Sequence, residues 1–208
     1  IAVFDMFYRN NPDEAAYSIF CGLDDLIDYI NNLHFTESDI TYLRSLNLFD
    51  EAFLKYLADF KFKGTIYSFK EGSVVYPYEP LITVVAPLID AQLVETALLL
   101  IINHETLIAT KANRIYLSCK GRAFSDFGAR RAHNGDAAIY GARASYIGGA
   151  SSTATTLAAK KFDIKVSGTM AHSWVMSFDS EYEAFKAYAE IYPNNAVLLI
   201  DTYDVLNQ

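Results

Sequence analysis

The sequence has few of the residues that mark a secreted, metal-binding or nucleic-acid-binding protein. Its two cysteines, Cys21 and Cys119, stand far apart in 208 residues and match no metal-ligand spacing, as is typical of reduced thiols in a cytoplasmic protein. Lysine and arginine together number 17 against 25 acidic residues. The net charge of −8 argues against general nucleic-acid binding, which needs a positive surface.

Long hydrophobic runs are also scarce. The most apolar run, TALLLIIN at residues 96–103, is too short to span a bilayer and predicts a buried helix, so we expect no membrane partner. The overall composition, 52% hydrophobic and 20% charged, is that of a globular protein. The chain begins with Ile1 inside a strand-like segment, and we therefore expect a fragment of a longer protein.

The pattern of the chain changes near Gly121. Residues 64–87 alternate and are cut by glycine and proline, which predicts short strands of a mainly antiparallel sheet. Residues 90–119 predict one long buried helix. After Gly121, strand-like and helical segments alternate, ending in the predicted strand NAVLLIDTY, and this pattern predicts parallel strands with helices outside. The fold class is thus α/β, with units at 1–120 and 121–208, and the parallel sheet is either open or part of an incomplete barrel.

Four segments rich in polar or small residues follow the predicted strands of the second unit. Ligands of parallel β/α folds gather at the carboxyl ends of the strands, so we expect these segments to converge on one rim. They are DFGARRAH at 126–133, GGASST at 148–153, SGTMAHS at 167–173 and DTYD at 201–204.

Two residues of the first segment suit an anionic aromatic ligand. Arg130, next to Arg131, can bind a carboxylate or phosphate through a forked contact, or it can be a solvated residue at a helix start. Phe127 can stack on an aromatic ring or belong to the core. The DFG triplet lacks the glycine-rich loop and HRD partner of a protein kinase.

His172 is the most informative candidate for chemistry. The chain contains no HxxxH or HExxH pair, so a zinc site is not expected. The small residues before His172 leave space around it, and an open imidazole at a strand end can act as a nucleophile or an acid–base group. A structural role is the alternative. Asp126, Asp201 or Asp204 can orient the ring, and the sequence does not say which.

Taken together, these motifs resemble the nicotinate phosphoribosyltransferase family. The segment SGTMAHSWVMSF is similar to the family's signature, and further segments resemble the family in the same order over essentially the whole chain. They are PLITVVAPLIDAQLVETALLLIIN, ATKANRI, DFGARRAH, YIGGASST and LLIDTYD.

The resemblance implies a fold, an activity and partners. Members of the family combine an α/β sandwich-like domain with an irregular β/α barrel. They form nicotinate mononucleotide from nicotinate and phosphoribosyl pyrophosphate and couple the reaction to ATP hydrolysis through a phosphohistidine. ATP, with Mg²⁺, is then a co-substrate, and no tightly bound organic cofactor or resident metal is expected. The resemblance also implies a cytoplasmic homodimer with shared active sites.

Site residues follow by position within the matching motifs. His172 matches the phosphorylated histidine, and Thr169 matches a nicotinate-binding residue. Phe127 corresponds to a residue that stacks on the pyridine ring, and Arg130 to one that faces the ring substituent or the ribose phosphate. Asp201 falls in a segment that lines the same pocket.

The resemblance leaves alternatives to the main interpretation. The family's tyrosine-bearing N-terminal segment would precede Ile1, and its sugar-phosphate loop would follow Gln208, so we expect the isolated chain to be inactive unless a partner supplies them. A truncated, non-catalytic relative that acts as a binding or assembly module is therefore one alternative. A phosphoribosyltransferase acting on nicotinamide or quinolinate is another.

Overall fold

The computed structural model describes residues 1–206 and mixes helices with short strands, which agrees with the predicted α/β class. The strands are β1 Ala2–Met6, β2 Ser18–Ile19, β3 Thr65–Ser68, β4 Val74–Val75, β5 Ile82–Ala86, β6 Ser125–Asp126 and β7 Ser152–Thr153. The helices are α1 Leu23–Asn32, α2 Glu37–Ser45, α3 Glu51–Ala58, α4 Leu88–Ser118, α5 Gly135–Ile147, α6 Thr156–Phe162, α7 His172–Val175 and α8 Glu181–Ile191.

The first unit is organised around an antiparallel sheet, as predicted. Its strand order is β1-β5-β3, with β5 paired antiparallel to both neighbours. Ile82, Val84 and Ala86 alternate to the buried side of β5, which is the pattern of a sheet with one covered face. A second antiparallel pair, β2 with β4, lies beside α4.

The segment TESD at residues 36–39 has the sequence pattern of a capping box, and helix α2 begins there. The Asp39 backbone N–H donates to the Thr36 hydroxyl over 3.2 Å, and the Thr36 N–H donates to the Asp39 carboxylate over 2.7 Å. Two backbone donors that the first helical turn leaves free are satisfied in this way. Local sequence therefore fixes the helix start.

Helix α4 is the long helix predicted at 90–119, and it packs against elements of both units. By length and composition it is the one helix in residues 1–206 that could cross a membrane, with a mean hydropathy of 1.4. Its packing is that of a core helix, because its buried Thr106 and Thr110 hydroxyls accept hydrogen bonds from the backbone N–H groups of Cys21 and Ile19. One face stays open, with Leu100 67% exposed, so the predicted long buried helix is buried over only part of its surface.

A buried arginine joins α5 to α1, to α4 and to the loop before β4. Arg143, on α5, is only 8% exposed. Its guanidinium makes a forked pair with Glu71, with N–O distances of 2.9 and 2.6 Å, and also contacts Glu105 at 3.2 Å and Asp24 at 2.9 Å. The carboxylate of Asp25 lies 3.9 Å away. One cation therefore gathers four acidic side chains, a group that we call the Arg143 cluster.

Glu71 also links the Arg143 cluster to the backbone at the start of α1. Its Oε1 accepts the N–H groups of Gly22 and Leu23 over 2.7 and 3.0 Å, at the start of α1. Cys21, Glu71 and Glu105 hold potential ligand atoms within 4.8 Å of one another, but the Arg143 guanidinium already bonds both carboxylates. The protein's own cation thus occupies the position that a metal ion would need.

The second unit contains parallel pairing, as the alternating pattern predicts. Strands β6 and β7 are parallel, with Asp126 opposite Thr153, and Thr153 also forms a parallel bridge with Val166. The predicted strand NAVLLIDTY is wrong. Residues 195–203 form turns and irregular chain, and in the described part of the chain no neighbouring strand offers them a ladder of hydrogen bonds.

Replacing Arg143 by alanine is expected to lower the free energy of unfolding by about 3–5 kcal/mol, because it leaves buried carboxylates without a cation. Denaturant unfolding of R143A and wild type measures the difference. R143K, which keeps the charge without the fork, should fall between the two. R122A removes an exposed arginine and should change stability by no more than about 0.5 kcal/mol. Equal losses for R143A and R122A would contradict the role of the cluster.

The cluster also predicts how stability depends on pH. Burial, followed by the neighbouring Asp25 carboxylate, raises the pKa of Glu105 from 4.5 to about 9. Between these values the folded state holds a proton that the unfolded state has released. The stabilising effect of Glu105 is therefore complete below pH 4.5 and disappears as the pH rises through about 9.

Glu105→Gln, which stays neutral, should remove this dependence. The difference in free energy of unfolding between E105Q and wild type should grow in favour of the mutant from pH 5 to pH 9. Denaturant titrations at several pH values in this range provide the measurement. Curves that stay parallel for the two proteins would show that Glu105 is ionised in the folded state.

Candidate active site

Two of the predicted site segments leave adjacent parallel parts of the chain. DFGARRAH begins at Asp126, the last residue of β6, and SGTMAHS follows Val166, which bridges to Thr153 of β7. Because parallel strands point their carboxyl ends the same way, these two segments start at one edge. GGASST at 148–153 instead leads from the end of α5 into β7, so the prediction that it follows a strand is wrong.

Phe127 lies on the first segment beside a cavity of about 540 Å³. Its ring is 46% exposed, so it is available to a ligand and does not belong to the core. The cavity lies between this segment, α4 and α5. Its lining includes Arg131, Lys111, which pairs with Asp13 over 2.8 Å, and the acidic Asp126. A flat anionic molecule fits this combination of an aromatic face with positive charge.

Arg130 lies in a short 3-10 helix, Ala129–Arg131, directly after Phe127. Its side chain is exposed, and within residues 1–206 it is Arg131, not Arg130, that lines the Phe127 cavity. The role of Arg130 as a ligand contact stays a prediction, and the structure adds Arg131 as a cation beside Phe127.

His172 is the first residue of α7 and is open to solvent. Its side chain is 51% exposed, and its Nδ1 lies 3.2 Å from the Thr202 hydroxyl. Its Nε2 lies 3.9 Å from the Asp201 carboxylate, a distance too long for a hydrogen bond. The buried side chain of Val175 anchors this short helix in a hydrophobic cluster. An imidazole held at one nitrogen and open at the other can act as a nucleophile.

The three acidic candidates for orienting His172 separate clearly. Asp201 is next to the ring, whereas Asp126 accepts hydrogen bonds from the Gly128 N–H and the Thr153 hydroxyl. Asp204 accepts a hydrogen bond from the backbone N–H of Leu206 over 2.9 Å. The segment at 201–204 thus supplies the partner of His172, as its place among the predicted site segments implies.

Thr169 lies on the same segment as His172 and is exposed. Its hydroxyl donates to the backbone carbonyl of the adjacent Met170 over 3.1 Å. This bond keeps the Thr169 side chain against the backbone of the segment that precedes α7. The hydroxyl oxygen keeps acceptor capacity for a ligand.

The predicted site residues therefore fall into two groups. Phe127 and Arg130 lie on one segment, and Thr169, His172 and Asp201 form the other, with the strand ends of β6 and β7 between them. Sequence reasoning missed Thr202, which contacts His172, and Thr153, which contacts Asp126. Both residues lie inside segments that the sequence does single out, but their pairing joins distant parts of the chain.

Comparison with known proteins identifies the class to which this fold belongs. The solved structure of human nicotinic acid phosphoribosyltransferase superimposes with a TM-score of 0.88 at 28% identity, over 98% of this chain and 51% of that one. Nicotinate-nucleotide pyrophosphorylase from Pyrococcus furiosus shares the fold, with a TM-score of 0.78 at 22% identity over 97% of this chain and 45% of that one. The fold is thus that of enzymes named for pyridine nucleotide chemistry.

The sequence itself gives the family. The nicotinate phosphoribosyltransferase (NAPRTase) N-terminal domain model matches residues 1–103, and the NAPRTase family model matches residues 122–208. A nicotinate phosphoribosyltransferase of Bacillus subtilis is 49% identical, and one of Mycobacterium tuberculosis is 45% identical, each over 99% of this chain. The chain belongs to the nicotinate phosphoribosyltransferase family. It spans 42% and 44% of the lengths of these two relatives.

Proposed function

We propose that this chain carries the catalytic segments of a nicotinate phosphoribosyltransferase. The observation that supports the proposal best is the placement of His172. The residue lies in the motif SGTMAHS, is half exposed, and has Thr202 at one ring nitrogen and Asp201 near the other. The relatives that match 99% of the chain at 45–49% identity bear the name of this activity.

In the proposed reaction, the pyridine nitrogen of nicotinate attacks the anomeric carbon of phosphoribosyl pyrophosphate and expels pyrophosphate. The transition state has oxocarbenium character, and the leaving group carries much of the negative charge. Catalysis then depends mainly on positioning and electrostatic stabilisation. Phe127 would stack on the pyridine ring, Arg130 would face the carboxylate or the ribose phosphate, and Thr169 would contact nicotinate.

ATP hydrolysis would be coupled to this reaction through His172. The imidazole takes the γ-phosphoryl group of ATP, which is bound together with Mg²⁺ as a co-substrate, and ADP leaves; water then cleaves the phosphohistidine, which releases phosphate and restores the imidazole. A phosphorylated side chain adds about −1.5 to −2 charge at pH 7. Charge of this size can order neighbouring segments, and so links ATP use to the affinity for substrate. We propose no tightly bound organic cofactor.

The active assembly would contain more than the segments described above. We propose an irregular β/α barrel that includes β6, β7 and the strand-like residues around Val166, and a cytoplasmic homodimer with active sites at the subunit boundary. Phe127 and His172 are both exposed, which leaves room for contributions from a second chain. The exposed apolar side chains Val197, Ile200 and Val205 are consistent with further packing on this side.

The mutation His172→Asn is expected to abolish the gain that ATP brings while leaving weak transfer, because asparagine keeps a polar side chain but accepts no phosphoryl group. The measurement is nicotinate mononucleotide formation, with and without ATP, by the protein expressed from its natural gene. The ratio of the two rates should fall to about one in the mutant. Exposed His34 offers the matched control, since H34N should retain full stimulation.

Two outcomes would contradict the proposal. Undiminished ATP stimulation in H172N would exclude His172 as the coupling residue. Absence of product in the wild-type protein, together with binding of nicotinate, would favour a non-catalytic binding module. Nicotinamide and quinolinate, tested as acceptors in the same assay, identify the ring substituent that the site accepts.

A further inference from the structure

The strand ends that carry the two groups of site residues meet at one buried side chain. Thr153, the last residue of β7, is fully buried. Its N–H donates to the Lys165 carbonyl, and its own carbonyl accepts the Ser167 N–H, both over 3.0 Å. These bonds tie β7 to the chain that leads to Thr169 and His172.

The hydroxyl of Thr153 points the other way along the rim, towards β6. It donates to the Asp126 carboxylate over 3.1 Å and accepts the backbone N–H of Thr155 over 3.0 Å. The second oxygen of Asp126 accepts the Gly128 N–H over 3.0 Å, across the turn that presents Phe127. The Asp126 carbonyl accepts the Ala154 N–H, also over 3.0 Å.

The Thr153 hydroxyl and the Asp126 carboxylate therefore connect β7 to β6, and the Thr153 backbone connects β7 to the chain at residues 165–167. Only two ladder pairs join β6 and β7, and a single bridge joins Thr153 to Val166. Such short pairing leaves the direction of the outgoing segments poorly fixed, because few backbone hydrogen bonds define it. Hydrogen bonds to an ionised carboxylate are stronger than those between neutral groups.

We propose that Thr153 and Asp126 are positioning residues that set the geometry between the segment bearing Phe127 and Arg130 and the segment bearing Thr169 and His172. Both residues would act through the segments that they hold and not through contact with the reacting atoms. Asp126 fixes the Phe127 turn through Gly128, and Thr153 holds that carboxylate while its backbone holds the His172 segment. The inference rests on the proposed function, because the geometry matters only if both segments contact one substrate set.

Thr153→Val is the informative substitution, because valine keeps the shape and removes the hydroxyl. It leaves the Asp126 carboxylate and the Thr155 N–H without their partner. We expect the KM for nicotinate to rise about tenfold, as suits the loss of a buried hydrogen bond to a charged group. The effect on kcat should be smaller, since the chemical groups stay in place. T153S, which keeps the hydroxyl, should restore the wild-type KM.

Hydrogen–deuterium exchange supplies a second measurement that needs no activity. In T153V the amide of Gly128 should exchange about tenfold faster, whereas the amides in the middle of α4 should not change. Asp126→Asn is expected to behave like T153V, because its amide group replaces one of the two acceptor oxygens with a donor. All measurements use the protein expressed from its natural gene.

The possible outcomes separate this inference from the proposed function. Faster exchange at Gly128 without any transferase activity in the wild type would refute the proposed function and leave the positioning bonds intact. A wild-type KM and unchanged exchange in T153V would overturn the inference while leaving the activity established. Equal impairment of T153S and T153V would also overturn it, because packing and not the hydroxyl would then be responsible.

Discussion

The pairing of Arg143 with four carboxyl groups is the constraint on which the rest of the structure depends. The acidic residues come from α1, from the loop before β4 and from α4, while the arginine comes from α5. Removing a charged guanidinium from water costs several kcal/mol, so the cluster is stable only when these elements are all in place. The ring of Phe162, 5.7 Å from the guanidinium, covers the cation from α6.

This constraint extends directly to the candidate site. Helix α5 lies between the Phe127 segment, which precedes it, and β7, which follows it. Fixing Arg143 in the middle of α5 therefore limits the movement of both ends. The Asp126–Thr153 hydrogen bond further restricts the movement of the β6 end relative to the β7 end. A packed helix beneath exposed polar segments is the arrangement expected when substrate-binding segments are carried on a scaffold.

Local features of the fold could be predicted from the sequence, and long-range ones could not. The capping box at Thr36 and the antiparallel pattern around Ile82 are encoded by neighbouring residues, and both are confirmed. The strand predicted in residues 195–203 is wrong because apolar alternation forms a strand only where a neighbour completes the ladder. The buried ion pairs of Arg143 could not be predicted from the sequence, because its hydrogen-bond partners lie 38 to 119 residues away along the chain.

The same division applies to the site. His172 stands out because small residues surround it, and its exposure agrees with that pattern. Its contact with Thr202 spans 30 residues and depends on how the chain turns back after α8. Arg130 and Arg131 look equivalent in sequence, yet Arg131 alone of the two lines the Phe127 cavity in the described chain. Which of two neighbouring arginines lines the cavity depends on the three-dimensional path of the turn.

The central claim is that the Phe127 and His172 segments form one site for nicotinate and its nucleotide product. A crystal structure of the protein expressed from its natural gene, bound to nicotinate mononucleotide, tests this claim most directly. The account predicts a pyridine ring stacked on Phe127, with the nucleotide extending along the rim towards His172. A nucleotide bound away from both segments, or in contact with one of them while the other faces the opposite side of the molecule, would contradict it.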